Sequence, residues 1–305
     1  MRKRLILTPI LIILTGLILK AQDLDKLLGN LAADSTPNFV FGTFKGTTII
    51  NCQSVEVPGH NDLHFIVSHR FGAVNTGFYN FFGLDQGTTR LGLEYGLKDI
   101  VSLSLGRSSF DKTYDGGIKV KLLRQQTGLK KIPVTVALYS AMFVETLKWT
   151  DPERENLFSS RLSYSSQLLI ARKFGKRLSL QLAPSYVHFN LVETTEDQNN
   201  VFAAGFGGRY KITPKIALTG DYFYLLPGKT ADDYSNSLSF GVDLETGGHV
   251  FQLHFTNSQL MFAPGYIART EGEWLEGDIY IGFNIYRAFS LNRKSKKQTQ
   301  THIVE

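Results

Sequence analysis

The chain has 305 residues, 43% of them hydrophobic and 12% aromatic, with 33 basic against 27 acidic side chains and a formal charge of +6. The excess is local: Arg2, Lys3, Arg4 and Lys20 stand at the start and Arg293, Lys294, Lys296 and Lys297, with Glu305, at the end. Gln22 to Leu291 therefore holds 25 bases and 26 acids, and charge gives no reason to expect a nucleic-acid partner. Cys52 is the sole cysteine, which excludes an internal disulfide, a CxxCH haem attachment and a cysteine zinc site.

The first residues read as an address. Arg2, Lys3 and Arg4 precede an apolar run from Leu5 to Leu19, and Ala21-Gln22 offers a cut after a small residue. The run is shorter than the ~20 residues of a membrane-spanning helix. It predicts a Sec-type signal peptide over residues 1–21, with an uncleaved anchor as the alternative. No cysteine stands at the cut itself to carry a lipid. In residues 22–42, Leu24, Leu27, Leu28 and Leu31 share one face of a short amphipathic helix over 23–32, followed by a linker.

From Arg90 to Tyr286 the chain keeps alternating apolar with small or polar residues, as in Val101-Ser102-Leu103-Ser104-Leu105-Gly106. Period two is the mark of a strand with two unlike faces. Strands are expected near 44–55, 61–71, 88–96, 100–108, 113–124, 132–147, 159–173, 177–190, 200–211, 215–226, 234–244, 249–256 and 276–287. Tight turns fall at Leu97-Lys98-Asp99, Gly175-Lys176, Thr213-Pro214 and Thr246-Gly247-Gly248, whereas 148–158, 191–199, 227–233 and 257–275 are long. Short turns at one end and long loops at the other are the asymmetry of an outer-membrane barrel, and ~9–11 tilted residues per strand cross a bilayer.

The fold expected is all-β: one transmembrane antiparallel up-and-down barrel over residues 43–291, then a basic polar tail over 292–305. Thirteen segments alternate where bacterial barrels have even numbers. Either the segment at 44–55 does not span, giving twelve strands, or 72–87, with Phe78, Tyr79, Phe81 and Phe82, hides a fourteenth. Twelve is the reading adopted.

Sorting by phase separates the faces. Leu91, Leu93 and Tyr95; Val101, Leu103 and Leu105; Val134, Val136 and Leu138; Leu162, Tyr164, Leu168 and Ile170; Leu238, Phe240, Val242 and Leu244; and Ile279, Ile281, Phe283 and Ile285 form the expected lipid face. The same rows suit the dry centre of a soluble secreted β-sandwich that binds a ligand, which is the rival fold. Aromatics near strand ends, among them Tyr222, Tyr224, Tyr234, Tyr280, Tyr286 and Phe289, suggest an interfacial girdle. The opposite phase collects Arg70, Arg90, Glu94, Lys119, Lys121, Glu145, Arg161, Arg209, Asp221, Asp243 and Asp278, with His254. Mixed signs in a narrow bore predict a paired, largely occluded lumen ahead of a selective pore.

Catalytic residues do not assemble. His188 and Ser185 are three apart and point to opposite faces, as do His69 and Ser68, while His64 and Ser68 share a face about 13 Å apart along the strand. An outer-membrane enzyme acting on lipid or peptide is the alternative function, with no residue assigned to it. The histidines are too scattered for a metal site, and no cofactor is implied. The acidic loops 151–155 and 193–197 read as solvated tips with divalent-ion or lipopolysaccharide bridging as the rival reading.

Several strings resemble a known family. Thr43-Phe44-Lys45-Gly46-Thr47-Thr48-Ile49-Ile50-Asn51 with Gln53-Ser54-Val55-Glu56, Ser68-His69-Arg70-Phe71-Gly72, Arg90-Leu91-Gly92-Leu93-Glu94-Tyr95-Gly96, Gly106-Arg107-Ser108-Ser109 and Lys112-Thr113-Tyr114-Asp115-Gly116 are similar to a Bacteroidota barrel family catalogued as domain of unknown function 5777. The motif-rich likeness covers about 43–126. It implies an outer-membrane barrel of a Gram-negative bacterium, in contact with outer-membrane lipid and with periplasmic or lipoprotein partners, including secreted haem-binding or lipid-binding proteins. It carries over no catalytic residue. The function expected is non-enzymatic: a structural or partner-docking barrel or a narrow passive conduit. The tail beyond Leu291 departs from barrels that end near a terminal aromatic, here Phe289.

Overall fold

The computed structural model describes residues 37–291 apart from 129, 193, 196, 229 and 231–233. The expected signal peptide, the helix at 23–32 and the tail from Asn292 lie outside the described residues.

The described chain forms two compact units. In the smaller, β1 (Pro37–Phe39) pairs antiparallel with β6 (Gln126–Gly128), Asn38 opposite Thr127. The larger holds β2 (Asp62–Ala73), β3 (Gly87–Lys98), β4 (Val101–Ser108), β5 (Tyr114–Leu123), β7 (Thr135–Val144), β8 (Leu162–Lys173), β9 (Leu178–Phe189), β10 (Asn200–Lys211), β11 (Ile216–Leu225), β12 (Ser237–Thr246), β13 (His249–Thr256) and β14 (Tyr280–Ser290). Each of these twelve pairs antiparallel with its neighbour along the chain, and β14 closes on β2 through Tyr286 opposite Ile66 and Phe289 opposite Leu63. Closure pairs every strand edge, as a backbone in lipid requires.

Alternation explains why these segments are strands. In β7 the burial pattern runs strictly in and out from Thr135, with Ala137, Tyr139, Ala141 and Phe143 inward and Leu138 and Met142 outward. The rows predicted to meet lipid do face out: Leu91, Leu93, Leu103, Leu105, Leu138, Tyr164, Leu168, Phe240 and Leu244 are all exposed. So long a continuous apolar exterior is incompatible with water, and a closed barrel has no second sheet to form a sandwich. Tyr224 and Phe289 stand on that exterior, but Tyr286 does not belong to the girdle. It shares the phase of Gly282 and Asn284, is buried, and bonds to Thr48 inside the barrel.

The segment at 44–55 is not a strand. Residues 41–61 run into the barrel as a tongue, tied back on itself by Ile49 N–H to the Cys52 carbonyl (2.8 Å) and Ser54 N–H to the Thr47 carbonyl (2.9 Å). Nor does 72–87 hide a strand. It makes two 3-10 turns, Val74–Thr76 and Phe78–Gly83, with Phe81 and Phe82 at positive φ, where side chains crowd the backbone and a strand cannot run. The count is twelve for both reasons.

Short turns at 99–100, 174–177, 212–215 and 247–248 share one end of the barrel with the start of β2 and the end of β14, where Leu291 N–H reaches the Asn61 carbonyl at 2.9 Å. Long connections gather at the other end. The last of them, 257–279, turns inward: its helix α1 (Ala263–Ala268) is buried at all six positions and packs against β8, β9, β10 and β11. Tongue and inward segment together give the barrel an interior core, in which Phe44, Ile49, Cys52 and Val55 join Tyr266, Ile267 and the wall residues Phe143, Leu169, Val187 and Phe223.

Candidate functional site

The lumen is the place where side chains of many strands converge. Asp221, in the middle of β11, points inward and is buried. Its Oδ2 accepts three consecutive tongue amides, Ile50 N–H (3.0 Å), Asn51 N–H (2.7 Å) and Cys52 N–H (2.9 Å). Successive amides turned to one side form a concave anion site, and here the anion is the wall's own carboxylate. Burial and the Asp221 charge beside it push the Cys52 thiol up, so the thiolate is disfavoured.

Arg70, on β2, is 1% exposed and links both luminal segments. Its Nη2 donates to the Asn51 side-chain carbonyl at 2.6 Å, its Nη1 to the Ser258 and Leu260 carbonyls at 3.2 and 3.0 Å, and its Nε to His254 at 3.2 Å. The tongue tip is further held by Asn51 to Ser239 (3.0 Å) and by Asn284 and Gln252 donating to the Ile50 and Ile49 carbonyls. On its return limb Gln181 donates to the Gln53 carbonyl (2.6 Å) and accepts from Val55 N–H (3.1 Å).

Near the short-turn end the anchors are ionic. Lys119, 1% exposed, donates to the Thr47 carbonyl (2.8 Å) and the Glu56 carbonyl (3.1 Å), with Glu94 at 3.8 Å. Lys121 meets the Glu56 carboxylate at 3.2 Å, and Glu56 also accepts Thr43 N–H at 2.9 Å, closing the base of the tongue. Lys45 pairs with Glu245 at 3.2 Å, and Glu245 pairs again with Arg209, which lies 3.8 Å from Asp243. Arg90 grips Asp115 at 2.5 Å across β4. That grip needs Gly106 between them, since a Cβ there would collide with both the guanidinium and the carboxylate.

The predicted lumen charges thus resolve into separate clusters. Arg70, Arg90, Glu94, Lys119, Lys121, Arg209, Asp221 and Asp243 all lie inside the barrel, and most bind the tongue or each other. Glu145, Arg161 and Asp278 stand at the long-loop rim instead. Arg161 donates to the Glu145 main-chain carbonyl (3.0 Å) and stacks on Trp149, while Asp278 accepts from Asn75 (2.6 Å). Alternation could not place them, because β7 ends at Val144, β8 begins at Leu162 and β14 begins at Tyr280.

Sequence reasoning missed Asn51, Glu56, Asp115, Gln181, Gln252, Asn284 and Tyr266. Asp115 had a signal in its phase, shared with Lys119 and Lys121. The tongue residues had none, because a segment bonded by wall side chains has no period of its own. Between tongue, wall and α1 remains a cavity of about 60 Å3, bordered by Arg70, Arg90, Asp115, Tyr139 and Tyr266. It has room for a few waters at ~10–15 Å3 each and for nothing larger than a small ion or molecule. Two of the histidines considered as bases serve as hydrogen-bond partners, His188 to Asn200 (2.8 Å) and His69 to Thr89 (3.0 Å). The arrangement is chemically suited to holding two chain segments in a tube.

Known proteins place this geometry. A family model described as a membrane-bound beta barrel domain (DUF5777) matches residues 44–289. A search of curated proteins finds no match. Among solved structures, an outer membrane channel from Pseudomonas putida F1 aligns with TM-score 0.51 at 13% identity, over 77% of this chain and 98% of its own. The NanC porin aligns at 0.48 and 11%, over 75% and 100%, and the Acinetobacter baumannii outer membrane protein Omp33 at 0.40 and 10%, over 78% and 100%. At such identities the first of these supports the barrel fold and nothing finer.

Proposed function

The chain belongs to the DUF5777 family of membrane-bound β-barrels, and from that premise we propose a non-enzymatic barrel of a Gram-negative outer membrane, its short turns periplasmic, closed at rest by its own tongue. One observation carries the reading: two buried wall charges hold the luminal segments, Asp221 taking three tongue-tip amides on its Oδ2 and Arg70 reaching the tongue tip through Nη2 and the inward segment through Nη1. Wall charges of an open pore face water. Here they are filled from within, and removing a partner from a buried ion costs about 3–5 kcal/mol unless water replaces it.

The protein then acts as a sealed scaffold whose exposed loops and periplasmic turns are its working surfaces, available to periplasmic or lipoprotein partners. The sealed state makes a definite electrical prediction. Planar-bilayer recordings of the full chain should show no steady current, and a chain lacking residues 43–56 should conduct in discrete steps. A steady current through the intact protein overturns the closed-scaffold reading. Outer-membrane fractionation and a boiling-dependent gel shift test the location and the barrel; a detergent-free soluble pool overturns both.

A narrow conduit is the second reading, favoured by the polarity of the tongue's anchors. Carbonyls, amides and carboxylates that hold the tongue exchange readily for water, so a withdrawn tongue leaves a hydrated passage lined by Arg70, Glu94, Lys119, Lys121 and Asp221. That reading requires a signal that pulls the tongue toward the periplasm. Wild-type protein that conducts only under applied voltage or with an added periplasmic partner would favour it.

A further inference from the structure

The lipid-facing wall is apolar all round but not smooth. Across β8 to β12 it carries a groove of about 730 Å3. The floor contains Gly208 and Gly220, paired across the β10–β11 ladder in the outward phase, where two missing side chains leave a hollow. Ile170, Leu182, Phe206, Leu218, Tyr222 and Phe240 form its walls, and it opens toward the short-turn end at Arg172 and Phe174.

That end is strongly basic. The stretches 172–177 and 211–216 hold Arg172, Lys173, Lys176, Arg177, Lys211 and Lys215, and no acid. The two turns are neighbours, because Lys211 N–H donates to the Arg177 carbonyl at 2.9 Å. Lys173 turns in to the Phe41 carbonyl (2.8 Å). The other five are exposed or half-buried, and among the described residues no carboxylate lies within ion-pair distance of them. Glu245, whose backbone N–H meets the Lys215 carbonyl, sends its side chain inward to Arg209 and Lys45. The Arg172 guanidinium lies over the Phe174 ring, 5.0 Å from its centre, at the mouth of the groove.

An apolar groove in the hydrocarbon that ends under a cluster of unpaired bases at the membrane surface has the two chemistries of one ligand type. We propose that it binds an anionic glycerophospholipid of the periplasmic leaflet, acyl chains over Gly208 and Gly220 and the phosphate among Arg177, Lys211 and Lys215. A second copy of this chain fits less well, since a two-fold contact centred on this face brings the same bases against each other.

The test is native mass spectrometry of the full barrel in non-ionic detergent, titrated with phosphatidylglycerol and with phosphatidylcholine of the same chains. Phosphatidylglycerol should bind more tightly. Each base near the surface contributes up to about fivefold, so the triple variant R177A/K211A/K215A should lose between about tenfold and about a hundredfold in phosphatidylglycerol affinity and leave phosphatidylcholine unchanged. Gly208→Leu should weaken both lipids by occupying the hollow. If Gly208→Leu loses the boiling-dependent gel shift, Gly208→Ala replaces it, because the added Cβ meets the flexible tip of Leu180 at 3.3 Å and the Ser179 carbonyl only at an ordinary contact of 3.9 Å. Equal affinity for the two lipids, no binding of either, or an unchanged triple variant overturns the proposal. Displacement of the lipid by glycerol 3-phosphate would make this a free-anion site, and a retained second protein chain would make it an interface; each overturns it as well.

Discussion

The tongue and the inward segment fill the same tube by opposite means. The tongue is held by polar wall groups: Asp221, Gln181, Gln252 and Asn284 each take one or more of its main-chain groups, which have no ladder of their own, and Arg70 takes the Asn51 side chain. The inward segment places Ala263, Tyr266, Ile267 and Ala268 in an apolar cluster with β7 to β11 and is tied at its start by Arg70 alone among the charged wall residues described. Directional anchors concentrate the hold at a few atoms, whereas apolar packing spreads it over many. The first can be undone by one substitution, and the second only weakened.

The sharpest way to break this contrast is at Asp221. Asp221→Ala leaves three tongue amides in the lumen without their acceptor, at about 1–3 kcal/mol for each buried group left unpaired. The tongue tip should detach while the barrel persists. Cys52 is the reporter: buried and disfavoured as thiolate in the native protein, it should resist a maleimide there and react in the variant, with the gel shift on boiling retained. Unchanged protection of Cys52 would show that the tip is held by packing and would erase the distinction.

The inward segment should answer differently. Ile267→Ala deletes a fully buried side chain and should cost about 2–5 kcal/mol, read as a lower temperature for the gel transition. Cys52 labelling should hardly change. If Ile267→Ala frees Cys52 as Asp221→Ala does, the two segments form one cooperative unit and the comparison fails.

The difference between the segments also governs what could be read from the sequence. The barrel was legible because a wall strand has lipid on one face and the lumen on the other, and that contrast repeats every two residues through β2 to β14. Tyr286 shows that phase is a better guide than position. Ile281, Phe283 and Ile285 point out, so Tyr286 points in, although its place near a strand end suggested a girdle. The tongue has apolar and polar wall on all sides, so Ile49 and Ile50 sit next to each other and both find places inside. Its polar–apolar mixture imitated a strand at 44–55. The lumen charges were legible one by one within the ladders, but their partners were not, because Asn51, Ser258 and Leu260 reach Arg70 through loops whose path no period records.

The weakest test separates the tip of the tongue from its base. Lys45 is half-exposed and meets Glu245, which is already engaged by Arg209, so Lys45→Ala removes a pair of the surface kind. Such pairs contribute about 0–1 kcal/mol and are screened by salt. Lys119 is enclosed, and Lys119→Met strips the Thr47 and Glu56 carbonyls of their donor while leaving Glu94 without its nearest charge. Its cost should approach the ~3–5 kcal/mol of a broken buried pair. Lys45→Ala should therefore leave the gel transition and Cys52 protection where they are, at low and high salt alike. A measurable loosening by Lys45→Ala would mean that the tongue peels from its base outward, making the short-turn rim, and no longer Asp221, the point that controls its release.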